Sequence, residues 1–346
     1  MAPSHYFMLQ KDSTAIVLMN LGSPDSPEPT DVKKYLLEFL MDERVIDKGE
    51  FYRSLLVKGI IVPFRYKKSA HAYNTIWWEE GSPLVIITQR QQQKLKEKFG
   101  GMVEIAMRYG SLTPKKAFDI ISKNKNIKNV VIVPMYPHYA MSSFETAVVH
   151  AQKQYVGGNY DFMLRFVKPF YNHPSYIEAL ADSMLPYLNS NYDKILFSYH
   201  GIPQRHIEKC DATGKHCFKV ADCCAVKSMA HDTCYRHQCF ETTRLVIEKL
   251  GIEKNKYEIS FQSRLGKGWL TPFTDVVLQE MPQKGVKNLL VVCPAFVSDC
   301  LETLEEIAMR GKEDFIKAGG ENYEMIACMN DNDKWIDAIR EIAAQS

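Results

Sequence analysis

The sequence lacks three features that would assign it at once to a common class of protein. No uncharged apolar run reaches the roughly 20 residues that a membrane-spanning helix needs, and residues 1–10 lack the basic and apolar segments of a secretory signal. Neither G-x-G-x-x-G nor a phosphate loop ending in Gly-Lys-Ser/Thr occurs, so dinucleotide and nucleoside triphosphate chemistry lose support. We expect a soluble cytoplasmic protein with at most peripheral contact to a membrane.

The chain also lacks a large excess of charge of either sign. Its 43 Lys and Arg residues stand against 41 Asp and Glu residues, a formal net charge of +2. This balance argues against nucleic acid as the main partner. Apolar residues make up 46% of the 346 residues and occur along the whole chain, which indicates a folded protein long enough for two domains.

Short runs rich in Val, Ile and aromatic residues alternate with longer amphipathic segments, the pattern of βα units around a parallel sheet. The predicted strands are 14–20, 102–108, 129–135 and 162–167 in the first half, and 194–198, 257–262, 288–293 and 323–327 in the second. Four strands in each half predict an α/β protein with two four-stranded parallel sheets.

The two halves also resemble each other locally. Residues 128–134 (KNVVIVP) are similar to residues 287–294 (KNLLVVCP), and each run lies between helical segments. We interpret this as two related α/β domains with a cleft between them, although chance similarity of two buried strands is the alternative. The predicted domains are 14–172 and 173–330, followed by a closing helix in 331–346.

The residues just after the predicted strands carry unusual chemistry, and ligands of open α/β sheets bind at the carboxyl ends of strands. His200 follows the fifth strand in the run SYHGIP. A histidine there can move protons near neutral pH or bind a metal, but it can also be a hydrogen-bonded structural residue. Residues 261–264 (FQSR) follow the sixth strand and lead through a glycine-rich loop to Trp269.

A pair of carboxylates follows the seventh strand. Glu302 and Glu306 are four residues apart, so on a helix they share a face and can relay a proton or hold a cation together. The alternative is structural, because Glu302 lies three residues after Asp299, the spacing of a capping box. Spacing alone does not separate these interpretations.

These motifs carry a family resemblance. Residues 198–203 (SYHGIP), 261–264 (FQSR) with Trp269, and 296–306 (FVSDCLETLEE) resemble, in this order, the signatures of ferrochelatases. The similarity extends over residues 15–330. It implies two Rossmann-like domains of the class II chelatase type, with a porphyrin cleft and without nucleotide binding. It also implies a lyase that inserts Fe²⁺ into a porphyrin to make haem.

The resemblance assigns roles to single residues. His200, Glu302 and Glu306 match the catalytic histidine and acidic pair, with His200 and Glu302 as ligands of the incoming Fe²⁺. Leu21 occupies a position where relatives that use coproporphyrin have Tyr, which favours protoporphyrin IX as substrate. Further positions resembling the porphyrin pocket are Arg65, Lys68, Tyr73, Ser82, Arg108, Tyr136, Ser263, Trp269 and Asp299.

The basic and apolar residues of the first half have alternatives of their own. Arg and Lys suit the porphyrin propionates, yet Lys68 can equally be a surface charge. Phe51, Ile60 and Phe64 can form an apolar lip for a membrane or a greasy substrate, or can be buried in the core. Cys300 replaces a His of the animal enzymes, so a metal-binding role is not carried over to it.

Six cysteines lie between residues 210 and 239, where shorter relatives have a simple loop. Cys217, Cys223, Cys224 and Cys234 supply the four thiolates that a [2Fe-2S] cluster or a structural zinc ion requires. The adjacent pair Cys223-Cys224 does not suit a zinc knuckle, so we rank the cluster above zinc. Cys210 and Cys239 are then spare thiols, while a nearby histidine (His216, His231 or His237) can replace one Cys ligand. Some ferrochelatases carry such a cluster, and those with an internal cysteine segment resemble this chain.

Two other classes of function remain open at this stage. A related chelatase for cobalt or nickel would keep the fold and His200, and a haem or iron-sulfur sensor would need the cleft but not the proton chemistry. The oligomeric state is not indicated by the sequence.

Overall fold

The structure is a computed structural model that describes residues 9–264 and 266–346. The chain forms two compact units. The first comprises the residues up to Met135, together with Met141–Lys168 and Asp331–Ser346, and the second comprises Tyr136–Ala140 and Pro169–Asn330.

The first unit is built on a parallel sheet of four strands. These are β1 (Thr14–Asn20), β2 (Met102–Met107), β3 (Asn129–Pro134) and β4 (Met163–Phe166), in the order β2-β1-β3-β4. All seven residues of β1 are buried, as expected for a central strand of a parallel sheet covered on both faces. The four strands lie where the sequence predicts them, to within one residue at each end.

Helices cover this sheet and connect its strands. They are α1 (Pro29–Leu40), α2 (Glu50–Leu56), α3 (Val62–Ile76), α4 (Pro83–Phe99), α5 (Pro114–Ile121) and α6 (Thr146–Val156), with π-helical turns at Val57–Ile61 and Met141–Glu145. Pro29, Pro83 and Pro114 occupy first helical positions. Proline suits that position because its φ is already helical and the missing N–H would have no partner in the helix.

The second unit repeats the same strand order. Its strands are β5 (Lys194–His200), β6 (Tyr257–Gln262), β7 (Asn288–Val292) and β8 (Asn322–Met325), all parallel in the order β6-β5-β7-β8. The similar runs 128–134 and 287–294 contain β3 and β7, which take the same place in their sheets. The predicted fold class, two Rossmann-like units with four-stranded parallel sheets, is confirmed.

The helices of the second unit are shorter and less regular. They are α7 (Pro174–Leu188), α8 (Gln204–Cys210), α9 (Tyr235–Leu250), α10 (Thr274–Glu280) and α11 (Lys312–Lys317), with 3₁₀ turns at Met229–Asp232, Lys254–Lys256 and Pro282–Lys284. A ten-residue π-helix, Glu302–Gly311, precedes α11. Leu196, Leu278, Val291 and Phe315 form part of the core beneath it.

The closing helix α12 (Asp333–Ala343) packs on α4 and β3 and so belongs to the first unit. Trp335, Ile336, Ile339 and Ile342 form its buried stripe, and burial of each such side chain contributes about 1.5–3 kcal/mol. Lys98 on α4 pairs with Asp337 at 2.7 Å. Across the described part of the chain, no helix combines the length and apolar character needed to cross a bilayer.

Candidate active site

His200 is the last residue of β5, at the carboxyl edge of the second sheet. Its Nδ1 lies 2.6 Å from the carbonyl oxygen of Gly201. A carbonyl oxygen can only accept a hydrogen bond, so Nδ1 carries the hydrogen of the neutral ring and Nε2 keeps a lone pair. The local backbone therefore holds the imidazole as a base with Nε2 as its reacting atom.

Glycine is required directly after His200. A Cβ at Gly201 would lie 2.7 Å from the carbonyl oxygen of Gln262 and 3.4 Å from the ring of Trp269. The Gly201 N–H also donates to that Gln262 carbonyl at 2.8 Å. The close approach of the two strand ends thus fixes the position from which the His200 ring projects.

The π-helix Glu302–Gly311 carries both predicted carboxylates. Its wider turn differs from the α-helix that the spacing of Glu302 and Glu306 suggests, and π-helical turns are frequent at functional sites. Glu306 is near enough to Glu302 for that carboxylate to raise its pKa, and near enough to His200 for a charged ring to lower it. The structure therefore brings His200, Glu302 and Glu306 together within the second unit.

Glu306 is held by two partners on opposite oxygens. The Ser263 hydroxyl donates to Oε2, and the Arg310 guanidinium lies 3.3 Å from Oε1. Burial, followed by the charge of Glu302, raises the pKa of Glu306 above its ordinary value, although Ser263 and Arg310 oppose this shift. Arg310, which the sequence analysis missed, follows Glu306 by four residues, and that i, i+4 spacing was the available signal.

A buried polar network supports this arrangement from below. The Ser198 hydroxyl donates to Gln262 Oε1 at 2.7 Å and contacts Thr274 Oγ1 at 2.9 Å. Gln262 Nε2 donates to the carbonyl of Glu302 at 3.3 Å. Each such bond contributes about 0.5–1.5 kcal/mol, and together they tie β5 and β6 to the start of the π-helix.

Asp299 has a structural position. Its carboxylate accepts hydrogen bonds from Asn330 Nδ2 at 2.7 Å and Thr303 Oγ1 at 2.9 Å, and its N–H donates to Asn330 Oδ1. The capping-box interpretation is wrong, because the Asp299 N–H is used by Asn330 instead of Glu302 and the helix start has no side-chain cap. Trp269 forms a β-bridge with Pro203 and is half-buried.

The other predicted pocket residues lie in several settings. Arg65 and Lys68 are exposed on α3, Tyr73 and Ser82 are buried, and Leu21 and Tyr136 are half-buried. Phe51 and Phe64 are 86% and 81% exposed, and Ile60 is also exposed, so these three do not enter the core.

Arg108 is engaged by a residue that the sequence analysis missed. Its guanidinium pairs with the buried carboxylate of Asp42 and donates to Thr146 Oγ1 at 2.7 Å. Asp42 also accepts from the Tyr109 hydroxyl at 2.9 Å. Burial alone would raise the pKa of Asp42, but hydrogen bonds from Thr146 and Arg44 and the charge of Arg108 hold it below its ordinary value. The charge of Arg108 is thus compensated within the first unit.

The four predicted ligand cysteines form one group. Cys217, Cys223 and Cys234 are buried and Cys224 is half-buried. The thiol of Cys234 is hydrogen bonded to those of Cys217 and Cys224, and Cys223 is near enough to both to affect their pKa values. The hydrogen bond from Cys224 lowers the pKa of Cys234 to about 6.

The remaining cysteines of the segment have other neighbours. Cys210 Sγ lies 4.0 Å from the Tyr139 hydroxyl, and Cys239 is fully buried beside Tyr235. None of the nine cysteines, all of which lie within the described residues, forms a disulfide bond. Within residues 9–264 and 266–346, no group of three or more His, Cys, Asp or Glu side chains is arranged so that it could hold a metal ion.

Comparison with solved structures supports the fold. The chain is similar to SirB from Bacillus subtilis, solved with Fe³⁺, with a TM-score of 0.52 and 13% identity over 96% of both chains. At this identity the likeness concerns the fold alone.

Comparison of sequences identifies the family. The ferrochelatase family model matches residues 13–346. The chain is 44% identical to a ferrochelatase of Pseudomonas fluorescens, covering 96% of this chain and 98% of that relative. It is 47% identical to a ferrochelatase of Opitutus terrae, covering 94% and 95% respectively. The expectation drawn from three short motifs therefore holds over nearly the whole length, and the chain belongs to the ferrochelatase family.

Proposed function

We propose that this chain is a lyase that inserts Fe²⁺ into protoporphyrin IX to form protohaem. The observation that carries the proposal is the convergence of His200, Glu302 and Glu306 at the edge of the second sheet, in a chain of the ferrochelatase family. The geometry supplies one imidazole and two carboxyl groups, which are the kinds of group that the reaction needs.

The reaction exchanges protons for a metal ion. A free-base porphyrin loses two pyrrole N–H protons as Fe²⁺ enters, so one porphyrin and one Fe²⁺ yield one haem and two protons, with no change in the oxidation state of iron. His200 Nε2 has a lone pair because Nδ1–H is held by the Gly201 carbonyl. In our proposal this lone pair accepts a pyrrole proton, so that the imidazole acts as a general base.

The carboxylates have complementary tasks. Glu302 attracts the hydrated Fe²⁺ ion by its negative charge and, with His200, guides it inward. Glu306, whose pKa is raised by burial and by Glu302, keeps a proton more readily than an ordinary carboxyl. It can therefore accept a proton from the site and pass it on, because a carboxyl with a raised pKa exchanges protons closer to the working pH.

Porphyrin binding by the remaining residues is carried over from the family resemblance. Arg65 and Lys68 are exposed on α3, so their cationic groups are accessible to propionate carboxylates. Arg108 is already paired with Asp42, so we propose that it also has a structural role. Leu21 favours protoporphyrin IX over coproporphyrin. The remaining residues that the resemblance assigns to porphyrin binding are Tyr73, Ser82, Tyr136, Ser263, Trp269 and Asp299. Of these, Asp299 acts by holding the backbone before the π-helix.

The exposed aromatic residues of the first unit suggest contact with an apolar surface. Phe51 on α2 and Phe64 on α3 each expose a large ring to water. Contact with an apolar surface would cover both rings. We therefore propose a cytoplasmic enzyme that makes peripheral contact with a membrane through this lip.

The cysteine segment is proposed to hold a [2Fe-2S] cluster through Cys217, Cys223, Cys224 and Cys234. The residues fit the group in number and kind, since one segment supplies four thiols, of which Cys217 and Cys224 both lie beside Cys234 and three are buried. When bound, the cluster would supply a one-electron redox centre. Four thiols also fit zinc, which stays the second choice.

The experiment is anaerobic purification, followed by iron and acid-labile sulfide analysis, visible spectroscopy and a metallation assay on one sample. We expect haem formation from protoporphyrin IX and Fe²⁺, with slower insertion of Co²⁺ or Ni²⁺, and equal amounts of iron and sulfide. Failure to metallate protoporphyrin under these conditions would overturn the proposed activity. Zinc without sulfide would overturn the cluster and leave the activity intact.

A further inference from the structure

Three imidazole rings converge on the backbone of the adjacent cysteines. His216 Nε2 and His231 Nε2 lie 2.7 and 2.8 Å from the carbonyl oxygen of Cys223. His237 Nδ1 lies 2.7 Å from the carbonyl oxygen of Cys224. Two consecutive peptide carbonyls are thus contacted by three rings from three different parts of the segment.

The hydrogen of each bond must come from the ring, because a carbonyl oxygen only accepts. This assigns the neutral tautomers as Nε2–H for His216 and His231 and Nδ1–H for His237. The sulfur atoms of Cys223 and Cys224 are not the atoms that these nitrogens contact. The rings therefore hydrogen bond to the backbone of Cys223 and Cys224 and not to their thiols.

The turn at Cys223 and Cys224 explains why its carbonyls need donors. The Asp222 carbonyl accepts from the N–H groups of Ala225 and Val226, at 2.7 and 3.2 Å, so the chain makes a single helical turn here. The last carbonyls of a helical turn have no partner in the helix. Asp222 itself has a φ of 50°, in the left-handed region that residues other than glycine adopt uncommonly.

Contacts outside the turn hold the backbone of two of these histidines, and the rings pack on one another. Asp211 accepts from the N–H groups of His216 and Cys217, at 2.8 and 2.9 Å. Gln238 donates to the carbonyl of His231 at 3.2 Å. The rings of His231 and His237 stack at 3.6 Å, and His216 meets His231 edge-on at 5.3 Å. The three rings therefore pack against one another, as a stacked pair with the third ring at its edge.

We propose that His216, His231 and His237 are positioning residues that hold the Cys223-Cys224 turn, so that both neighbouring thiols face Cys217 and Cys234, and that none of them is itself a cluster ligand. This inference rests on the proposed cluster. Each ring keeps a second nitrogen with a lone pair, but four thiolates already complete the ligand set of a [2Fe-2S] cluster, so no histidine is needed as a ligand.

The test compares substitutions that keep or remove the donor. The amide of Gln can replace an Nε2–H donor and that of Asn an Nδ1–H donor, so the series is His216→Gln, His231→Gln and His237→Asn, each beside the Leu variant at the same position. His71→Leu, at an exposed position of the first unit, is the matched control. Each protein is purified anaerobically, and loss of the cluster to a chelator is followed by visible absorbance.

We expect the Leu variants to lose the cluster about 10- to 100-fold faster than the wild type, the range typical of residues that orient metal ligands. The Gln and Asn variants and His71→Leu should stay close to the wild-type rate. Equal rates in the Leu and wild-type chains would overturn the inference, and so would equal loss in the donor-keeping and Leu variants.

A second measurement uses the unaltered chain and does not depend on any variant folding. Pulsed electron paramagnetic resonance of the reduced protein, prepared with ¹⁵N-labelled histidine, reports whether a ring nitrogen is bonded to iron. We expect no strong histidine nitrogen coupling, and a strong coupling would overturn the inference. A wild-type chain without any cluster would overturn it together with the cofactor proposal, whereas haem formation in the same sample tests the proposed activity separately.

Discussion

Ser263 donates its hydroxyl hydrogen to the Glu306 carboxylate from a left-handed backbone conformation, with a φ of 62°. A residue other than glycine rarely adopts this conformation, and such positions cluster at functional sites. This backbone conformation places the Ser263 hydroxyl within hydrogen-bond distance of one Glu306 carboxylate oxygen.

Replacement of Ser263 separates the hydroxyl from the backbone strain. Ser263→Ala removes the hydrogen bond that lowers the pKa of Glu306, so this pKa should rise further and the acidic limb of the pH–rate profile should move to higher pH. We expect kcat to fall about tenfold, as for loss of a hydrogen bond to a charged group. Ser263→Gly should lose the same activity yet unfold at a higher temperature than Ser263→Ala, because glycine adopts positive φ freely. Unchanged kcat in both variants would contradict the role given to Ser263.

Glu306 should cost stability at neutral pH. Because its folded pKa is raised, the folded state binds this proton more tightly than the unfolded state. Stability is therefore lost as the pH rises from the ordinary pKa of Glu through the folded value, and the loss is complete above it. Glu306→Gln should raise Tm by about 2–4 °C at pH 7 and have no such effect near pH 3, while abolishing most activity. Calorimetry at both pH values is the measurement, and a lower Tm at pH 7 would exclude this interpretation.

His200 should be required for turnover and not for folding. His200→Ala removes the Nε2 lone pair that accepts the pyrrole proton, so kcat should fall by about 100- to 10,000-fold. His71→Ala, at an exposed position, is the control and should retain full activity. Steady-state metallation and fluorescence titration of protoporphyrin are measured together. Retained turnover in His200→Ala would remove the central residue of the proposed mechanism, while binding of porphyrin by the inactive variant would support it.

Asp42 should be the most costly carboxylate to remove from the first unit. Asp42→Ala leaves Arg108, only 14% exposed, without its partner, and an uncompensated buried charge typically costs about 3–5 kcal/mol. Asp25→Ala removes the exposed 3.9 Å pair with Lys34 and serves as the control, expected to cost less than about 1 kcal/mol. Urea unfolding compares the two.

The same residue predicts a dependence on pH. The folded pKa of Asp42 is lowered, so its stabilisation is present above the ordinary pKa of Asp and is lost as the pH falls through the lower folded value. The difference between the wild type and Asp42→Asn should therefore shrink only in strong acid. A difference that instead disappears near pH 6 would assign the stabilisation to another group.

Removal of one proposed ligand cysteine should prevent the segment from binding the [2Fe-2S] cluster. Cys224→Ala removes a thiol that lies beside the thiol of Cys234, and we expect iron and sulfide to fall to background. Cys210→Ala, whose thiol faces Tyr139, should keep the full content. Elemental analysis and visible spectra decide between them. Loss of the cluster in Cys210→Ala alone would move the ligand assignment to that residue.

Some of the fold could be predicted because its signal is local. The buried strands β1 and β3 are rich in Val and Ile, residue types that favour strands. The alternation of such strands with amphipathic segments leaves few possible topologies for the sheet. His200 could be predicted to stand at a sheet edge for the same reason. The grouping of Cys217, Cys223, Cys224 and Cys234 was equally visible as a spacing.

Other features have no local signal. The π-helix at Glu302–Gly311 and the α-helix expected there need the same residue types, so only packing against the sheet and the bonds to Gln262 and Ser263 distinguish them. Asp299 satisfies the spacing of a capping box but finds Asn330, a residue distant in sequence. The pairing of Arg108 with Asp42 likewise joins residues 66 positions apart.

The sequence by itself determined the class of the fold, the family and the residue types available for proton transfer and metal binding, because periodicity, motif order and thiol spacing are properties of neighbours along the chain. Tertiary structure alone decided which atoms face each other: Nε2 of His200 as the open nitrogen, Ser263 and Arg310 on Glu306, and three imidazoles on one cysteine turn. Those relationships depend on where distant segments meet, and hydrogen-bond donors and acceptors are satisfied only after that meeting.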